Sequence, residues 1–519
     1  MKNKPNILVF LVDQMQSQVT RDDHPCIMPN VKKFAKDGIR FDSTYTPSPH
    51  CCPSRATFMT GLYPTRHGVF NNVNTITAHQ YGLNPGIRTY ACFLKSAGYT
   101  TAYSGKTHVS NNQSLKDLGW DMYPNEELYT FWASTRALPG NTIPDKREHG
   151  QFLRYNWWEQ EAYGEVDSDP EALKKNKWYP HVIDGIEKLK KLAKEKDPWH
   201  LVISTDMDHH NAVPKDIYDM YDPSMVTIPD SFNDEMKDKP RIYNRIRQQN
   251  WGQLTEDEIR EDILRYWCLC TLQDKYFGMI LDALKGSGQE ENTLVLFLSD
   301  HGDYVYAHGL CNMGIPSFSE AYHVPAIMRW PKGIKDTGRT ISEFITLADF
   351  APTFLDLAGE KADQHFTGKS LMPFIDGNEP SKWRDCVCHQ TNGNESYFTQ
   401  RIVMTKKWRY VLNWFDYDEL YDLESDPHQM NNILFEYYNQ SAFVKPMEKA
   451  KGPWPLLPEN LDAVRKDLIK KIWEFALDEE DTIFNGYFTA AVSPYGPGIT
   501  GRKGNTMRTK ERLLKEGSQ

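Results

Sequence analysis

Five short stretches of this sequence carry side chains that can do chemistry together. Asp13-Gln14 follows the apolar run Asn6 to Val12, Asp206 to His210 follows His200 to Thr205, and Ser299-Asp300-His301-Gly302-Asp303 follows Thr293 to Leu298. Each offers acids and two add imidazoles, a mix that suits a divalent cation or proton transfer. Adjacent histidines point different ways on a strand or helix, so His209 and His210 are not read as sharing one metal ion. The fourth stretch, Cys51-Cys52-Pro53-Ser54-Arg55, sets a guanidinium four residues beyond a thiol. The fifth, Ser104-Gly105-Lys106-Thr107-His108, sets an ammonium and an imidazole two residues apart, which in an extended segment puts both on one face.

The elements that must position these groups are legible as periodicities. The three apolar runs have the continuous, β-branched texture of strands buried on both faces of a parallel sheet. In open α/β sheets ligands bind outside the carboxyl ends of the strands, so polar clusters at three equivalent ends point to one composite site. Helical patterns cover 28–37, 87–97, 179–195 with a lysine-rich solvated face, and 257–284, and the alternation of strand and helix runs on through 346–359. After Asp376-Gly377-Asn378-Glu379-Pro380 the texture changes to short alternating segments, 401–405 and 409–413, and a last helix near 461–477. The organisation expected is an α/β main domain over residues 1–378, a small antiparallel subdomain over 379–492, and a tail over 493–519 that drapes over the main domain or is partly disordered.

Composition narrows the function. A chain of 519 residues holds a large α/β domain with a smaller companion. Lys and Arg number 60 against 70 Asp and Glu, a net charge of -10, which disfavours a nucleic-acid surface and requires a local basic pocket for an anionic substrate. The cysteines, nine and scattered, do not read as a disulfide framework. No apolar run approaches the ~20 residues of a membrane span, so no membrane partner is expected. The first residues lack the features of a secretory signal; the expected compartment is cytoplasmic as the sequence stands, or periplasmic or secreted if a signal has been removed. Aromatic residues make up 13%, and the insertion from Arg147 to Asp169, with Trp157-Trp158, is read as one that could shape a sugar pocket.

The segment Cys51-Cys52-Pro53-Ser54-Arg55-Ala56-Thr57-Phe58-Met59-Thr60-Gly61 closely resembles the signature of the type I sulfatases, C-x-P-S-R-x-x-x-x-T-G. That resemblance implies that Cys51 is oxidised to formylglycine, one oxygen of whose aldehyde hydrate attacks sulfur while a base later takes the proton of the other. Cys52 is only the x position. Arg55, expected in the first turns of the helix after this loop, would bind the hydrate and the metal-side carboxylates. Lys106 and His108 are similar to the family's G-K-x-H element, with Lys106 on a sulfate oxygen and His108 as the base. Asp13, Gln14, Asp300 and His301 would hold a divalent metal together with residue 51, Ca²⁺ first and Mg²⁺ or Mn²⁺ as alternatives. The stretch Asp206 to Asn211 resembles the family's D-P-H-x-P and picks His210, with His209 as runner-up, to contact sulfate and protonate the leaving oxygen.

Two departures from the family pattern stand out. Gln14 and His301 look more like the choline sulfatase and phosphonate monoester hydrolase side of the superfamily than like most sulfatases. Where the family shows H-G-L-W-x-K, this chain reads His308-Gly309-Leu310-Cys311-Asn312-Met313, without the lysine, whose roles would fall to His210, His308 or another group. Tyr322 to Pro331 and Glu419 to Pro427 again resemble the family. The fold implied is the alkaline-phosphatase-like α/β/α sandwich with a smaller C-terminal α+β subdomain. The activity implied is hydrolysis of a sulfate ester on a carbohydrate, with a sulfated saccharide as substrate and a formylglycine-generating or sulfatase-maturating enzyme as partner. The alternatives are a phosphonate or phosphate diester hydrolase, a choline-sulfatase-like enzyme, and a non-catalytic carbohydrate-binding relative.

Overall fold

The structure, a computed structural model, describes residues 4–75, 78–123, 146–153, 161–394, 396–414, 416–439 and 457–481. Trp157-Trp158 and the tail over 493–519 lie outside the described residues.

A seven-stranded sheet organises the main body, built from β1 (Asn6–Val12), β2 (Ile39–Phe41), β3 (Thr100–Gly105), β4 (Trp199–Thr205), β5 (Thr293–Ser299), β6 (Ala326–Arg329) and β7 (Arg339–Ile341). Their spatial order is β7-β2-β6-β5-β1-β4-β3. The strands β4, β1 and β5 run parallel, as the three apolar runs predict, and β3 joins them parallel to β4. The sheet is nevertheless mixed, because β6 pairs antiparallel with both β5 and β2. Every residue of β1 is buried, and alternate side chains serve two cores. Leu8, Phe10 and Val12 face one core, whereas Ile7, Val9 and Leu11 face the other.

Helices cover both faces. The first core is closed by α1 (Pro29–Lys36), by α4 (Tyr179–Leu192) and by the long α5 (Glu256–Gly286), where Phe277 stacks on Phe10 at 5.6 Å between ring centroids. A capping box of Thr255 and Glu258 starts α5. The second core is closed by α2 (Cys51–Thr60), α3 (Tyr90–Ser96) and α6 (Phe350–Ala358), with Phe58 against Tyr90, Phe350 and Phe354. This is an α/β/α sandwich. A C-terminal antiparallel sheet follows, β8 (Cys386–Thr391), β9 (Gln400–Thr405), β10 (Trp408–Asn413) and β11 (Glu419–Asp422) in that order, capped by α7 (Glu459–Asp478) through Leu468, Ile472 and Trp473. It abuts the main body where Thr65 N donates to Gln390 Oε1 and Asn72 N to Asn394 Oδ1, at 3.2 and 2.8 Å.

The register does the positioning. Val12 pairs with Thr205 on one side and with Ser299 on the other, so Asp13, Asp206 and Asp300 leave the sheet at one level. The ladder continues one step into the loops, Asp13 N donating to Thr205 O at 3.1 Å and Asp300 N to Val12 O at 3.2 Å. Beside them β3 ends at Gly105, whose φ of +93° is the left-handed region and whose added Cβ would overlap the Ser204 carbonyl oxygen. Gly105→Ala is therefore expected to destabilise the fold by about 2 kcal/mol or more. Urea denaturation checks this, and an unchanged midpoint and slope would contradict the account.

Candidate active site

The motif that opens at Cys51 is not a loop followed by a helix: α2 begins at Cys51 itself, after an extended His50, so Arg55 lies one turn further on. Ser54, Thr60, Gly61 and Cys52 each have a local job. Ser54 Oγ donates to the backbone oxygen of Asp300, and Thr46 Oγ1 donates to Ser54 Oγ at 2.9 Å, tying α2 to the end of β5. Thr60 Oγ1 donates to Ala56 O at 2.7 Å, and Gly61, at φ +69°, ends the helix by donating to Thr57 O at 2.8 Å. Cys52 is structural: its N–H donates to Asn72 Oδ1 at 3.1 Å and its sulfur accepts from Val73 N at 3.3 Å. The ends of the strands and the amino end of α2 thus meet at Cys51.

The structure brings Asp13, Cys51, Asp300 and His301 together, all buried, with one donor atom of each within 4.8 Å of the others. Cys51 Sγ stands 3.2 Å from His301 Nε2 and 3.8 Å from Asp13 Oδ1. Arg55, fully buried, lies against both carboxylates: Nε donates to Asp300 Oδ2 at 2.6 Å and NH2 to Asp13 Oδ2 at 3.0 Å. Its NH1 donates to Lys106 O at 2.7 Å and Ser204 Oγ at 2.8 Å, so one guanidinium touches the ends of β1, β3, β4 and β5. Lys106 Nζ pairs with Asp13 at 2.7 Å and Asp206 at 3.0 Å, and reaches Cys51 Sγ at 3.8 Å.

Electrostatics show what the cluster lacks. Burial pushes up Asp13 as well, but Lys106 and Arg55 outweigh it and hold that carboxyl well below its usual range. Burial, and after it the negative charge of Asp13, push Asp300 up to about 6 against the pull of Arg55. Burial and then the charge of Asp13 push the Cys51 thiol well up, against Lys106. Such a pocket accommodates a further cation favourably. The donor set fits a divalent ion: two carboxylates and an imidazole whose Nδ1 is 2.8 Å from the Gly302 carbonyl. A carbonyl only accepts, so His301 donates from Nδ1 to Gly302, which turns Nε2 to the side of Cys51.

Lys106 and His108 do not lie on a strand. The strand stops at Gly105 and His108 has φ +50°, so the period of two that suggested a shared face does not apply. Burial, and after it the charge of Lys106, then Arg55, hold the His108 imidazole well below its ordinary value, a neutral base at neutral pH. His108 Nε2 lies 3.0 Å from Asn74 Oδ1. His210 is half-buried, with Nδ1 2.7 Å from Asp208 Oδ1. His209 goes elsewhere: it is buried between Asp262 and Asp303, 2.8 Å from each, and stacks on Tyr266. Although burial opposes it, Cys311, Asp262 and Asp303 hold the His209 imidazole well above its ordinary value. Within the segment that lacks the family lysine, Asn312 Oδ1 accepts from Gln14 Nε2 at 2.6 Å, whereas His308 pairs with Asp234 at 2.7 Å and stacks on Phe318.

Reasoning from sequence missed Asp206 as the partner of Lys106, Ser204 and Asn74 altogether, and Asp303 as a partner of Gln14 (Nε2 to Oδ2, 2.6 Å). The position of Asp206 and Asp303 at the same strand ends as Asp13 and Asp300 was the available signal.

Comparison with known proteins follows the same line. The chain matches the sulfatase family over residues 5–360 and the C-terminal region of the N-sulphoglucosamine sulphohydrolase family over residues 316–450. It is 30% identical over 453 residues to the choline-sulfatase of Rhizobium meliloti (strain 1021), covering 83% of this chain and 82% of that protein. It is 25% identical over 472 residues to the N-acetylglucosamine-6-O-sulfatase of Bacteroides thetaiotaomicron, covering 83% of each. The solved phosphonate monoester hydrolase of Agrobacterium radiobacter superposes with a TM-score of 0.70 at 20% identity, covering 92% of this chain and 96% of that one, a likeness of fold. The fold is the alkaline-phosphatase-like sandwich expected, with its C-terminal sheet subdomain.

Because Arg55 is the buried counter-ion of two buried carboxylates, its removal leaves both unpaired. Arg55→Ala is expected to cost about 3–5 kcal/mol of stability at neutral pH. Denaturant unfolding of the metal-stripped protein reads this directly, and a loss under about 1 kcal/mol would contradict the role given to the guanidinium.

Proposed function

Because the chain belongs to the sulfatase family, whose members are sulfuric ester hydrolases, we propose that it removes sulfate from a carbohydrate ester, with Cys51 carried as formylglycine and a divalent cation beside it. One observation carries the reading: Cys51 lies at the start of α2 within 3.8 Å of Asp13, His301 and Lys106. The protonated, buried thiol that Cys51 has here is a poor nucleophile toward a sulfate ester, which favours an oxygen nucleophile in its place. The similarity to an N-acetylglucosamine-6-O-sulfatase supports a sugar substrate.

Asp13, Gln14, Asp300 and His301 would hold the cation, with Ca²⁺ the first choice for an oxygen-rich set. When bound, the cation polarises the sulfuryl oxygens and formylglycine supplies the nucleophilic oxygen. The remaining work falls to the chain. Arg55 keeps both carboxylates ionised and fixed. Lys106 binds a sulfuryl oxygen and takes up charge that develops there. His108, held neutral, takes the proton from position 51. His210, oriented by Asp208, gives a proton to the departing alcohol oxygen. Asp13, Asp206 and Asp300 against Arg55 and Lys106 leave one net negative charge, which a divalent ion turns into one net positive charge. That balance suits a monoanionic ester.

It suits a phosphonate monoester or phosphate diester equally, and Gln14 with His301 favours this second reading or a small ester such as choline sulfate. The test is a substrate panel run on protein whose Cys51 peptide has the mass of formylglycine. Sulfate release, read by ion chromatography, is expected from a sulfated saccharide and lost by at least about three orders of magnitude in Cys51→Ala. Turnover confined to choline sulfate or to a phosphonate monoester would replace the carbohydrate with that substrate. The lowered His108 value carries a sign: a base that protonates only well below its ordinary value keeps the rate level as pH falls from 7 through 6.5. An acid limb of kcat/KM centred at or above 6.5 would remove His108 as the base.

A further inference from the structure

The chain departs from its family at two places, the amide ligand Gln14 and the segment lacking a lysine, and the two touch. A carboxylate ligand presents an oxygen whichever way it turns, but a glutamine amide has an oxygen end that binds a cation and an NH₂ end that repels one. The Gln14 side chain can serve only if something decides which end faces the ion. We propose that Asp303 and Asn312 are positioning residues that claim both protons of the Gln14 amide nitrogen and so turn its Oε1 to the cation.

Gln14 Nε2 lies 2.6 Å from Asp303 Oδ2 and 2.6 Å from Asn312 Oδ1, one acceptor for each of its protons. The main chain of Gln14 is fixed as well, at φ +66°, with N donating to Asp300 Oδ1 at 3.1 Å and O accepting from Tyr266 Oη at 3.1 Å. Asp303 is itself locked. Its Oδ1 accepts from Val305 N at 2.7 Å, and its Oδ2 also faces His209 Nε2 at 2.8 Å. His209 Nδ1 in turn faces Asp262 Oδ1 at 2.8 Å, and Asp262 Oδ2 accepts from Tyr306 Oη. Cys311 does not make His209 and Asp303 into a second metal site. Its sulfur is 3.7 and 3.6 Å from the two ring nitrogens, which puts it over the ring, while both in-plane nitrogen directions point at carboxylates.

This inference rests on Gln14 being a ligand, as proposed above, and the test separates the two. Chelator-stripped full-length protein is titrated calorimetrically with Ca²⁺, and with Mn²⁺ in parallel, and circular dichroism confirms that each variant is folded. Asn312→Ala is expected to weaken the Kd about tenfold. Asn312→Asp keeps the acceptor and restores the wild-type Kd or tightens it. Asp303→Asn, which can present a donor to the amide, is expected to weaken binding by at least as much as Asn312→Ala. The decisive comparison is the Gln14→Ala background, where Asn312→Ala adds no further loss. An equal loss in both backgrounds, or no loss in either, overturns the positioning role. If Gln14→Ala itself leaves the Kd of both ions unchanged, Gln14 is not a ligand, and that reading fails together with the inference built on it.

Discussion

The contact on which the site depends is the Arg55 guanidinium set between Asp13 and Asp300. The register of β1 and β5 delivers these two carboxylates side by side into a buried place, where like charges are costly. A hydrophobic residue at position 55 would leave the sheet register favourable and the strand ends intolerable. The planar, five-donor fork of arginine meets both carboxylates and still reaches the Lys106 carbonyl and Ser204, which a lysine ammonium has neither the reach nor the geometry to do. The helix that starts at Cys51 is thereby fastened to the ends of all four strands, β1, β3, β4 and β5, and Cys51 is held at their meeting point.

The same arrangement leaves a charge still to be balanced. Burial, and after it the charge of Asp13, push Asp300 up against Arg55, and Asp13, Asp206 and Asp300 outnumber Arg55 and Lys106 by one charge, a balance that would favour a divalent ion there. Around that position the chain has built a second layer whose members are equally buried: Asp303, His209, Asp262 and Tyr306 run in a line away from Gln14. A glutamine in a ligand set needs such a layer, because its orientation is otherwise a matter of chance. If Gln14 is a ligand, as proposed, its amide and the segment without the family lysine belong to one local solution, since Asn312 sits in that segment and touches the glutamine.

Much of this was readable from the sequence, for a definite reason. Continuous apolar runs such as Ile7 to Val12 fix both strand identity and burial on two faces, and the polar residue that ends each run marks the carboxyl edge. Three such ends pointed to one composite site, and the resemblance carried by the motif at Cys51 and by Gly105-Lys106-Thr107-His108 named Asp13, Cys51, Arg55, Lys106, Asp300 and His301, which the structure places together. The antiparallel β6 was not legible, because pairing direction is a property of the connections and not of Ala326–Arg329. Nor was the start of α2 at Cys51, since Pro53 suits the first turn of a helix as well as a loop. Asp206 and Asp303 stood at legible strand ends, but which side chain each meets is set, like the contact of Asn74 with His108, between segments tens to hundreds of residues apart, for which a single sequence carries no period or spacing.

The central claim is that the strand ends around Cys51 hold the catalytic cation. Anomalous X-ray diffraction from crystals of the protein soaked in Mn²⁺, a cation that an imidazole-containing set accepts, tests it most directly. The account predicts one strong peak enclosed by Asp13, Gln14, Asp300 and His301, with Oε1 as the coordinating atom of Gln14. A peak at His209, Asp303 and Cys311 instead, or none near Cys51 at saturating Mn²⁺, would contradict it.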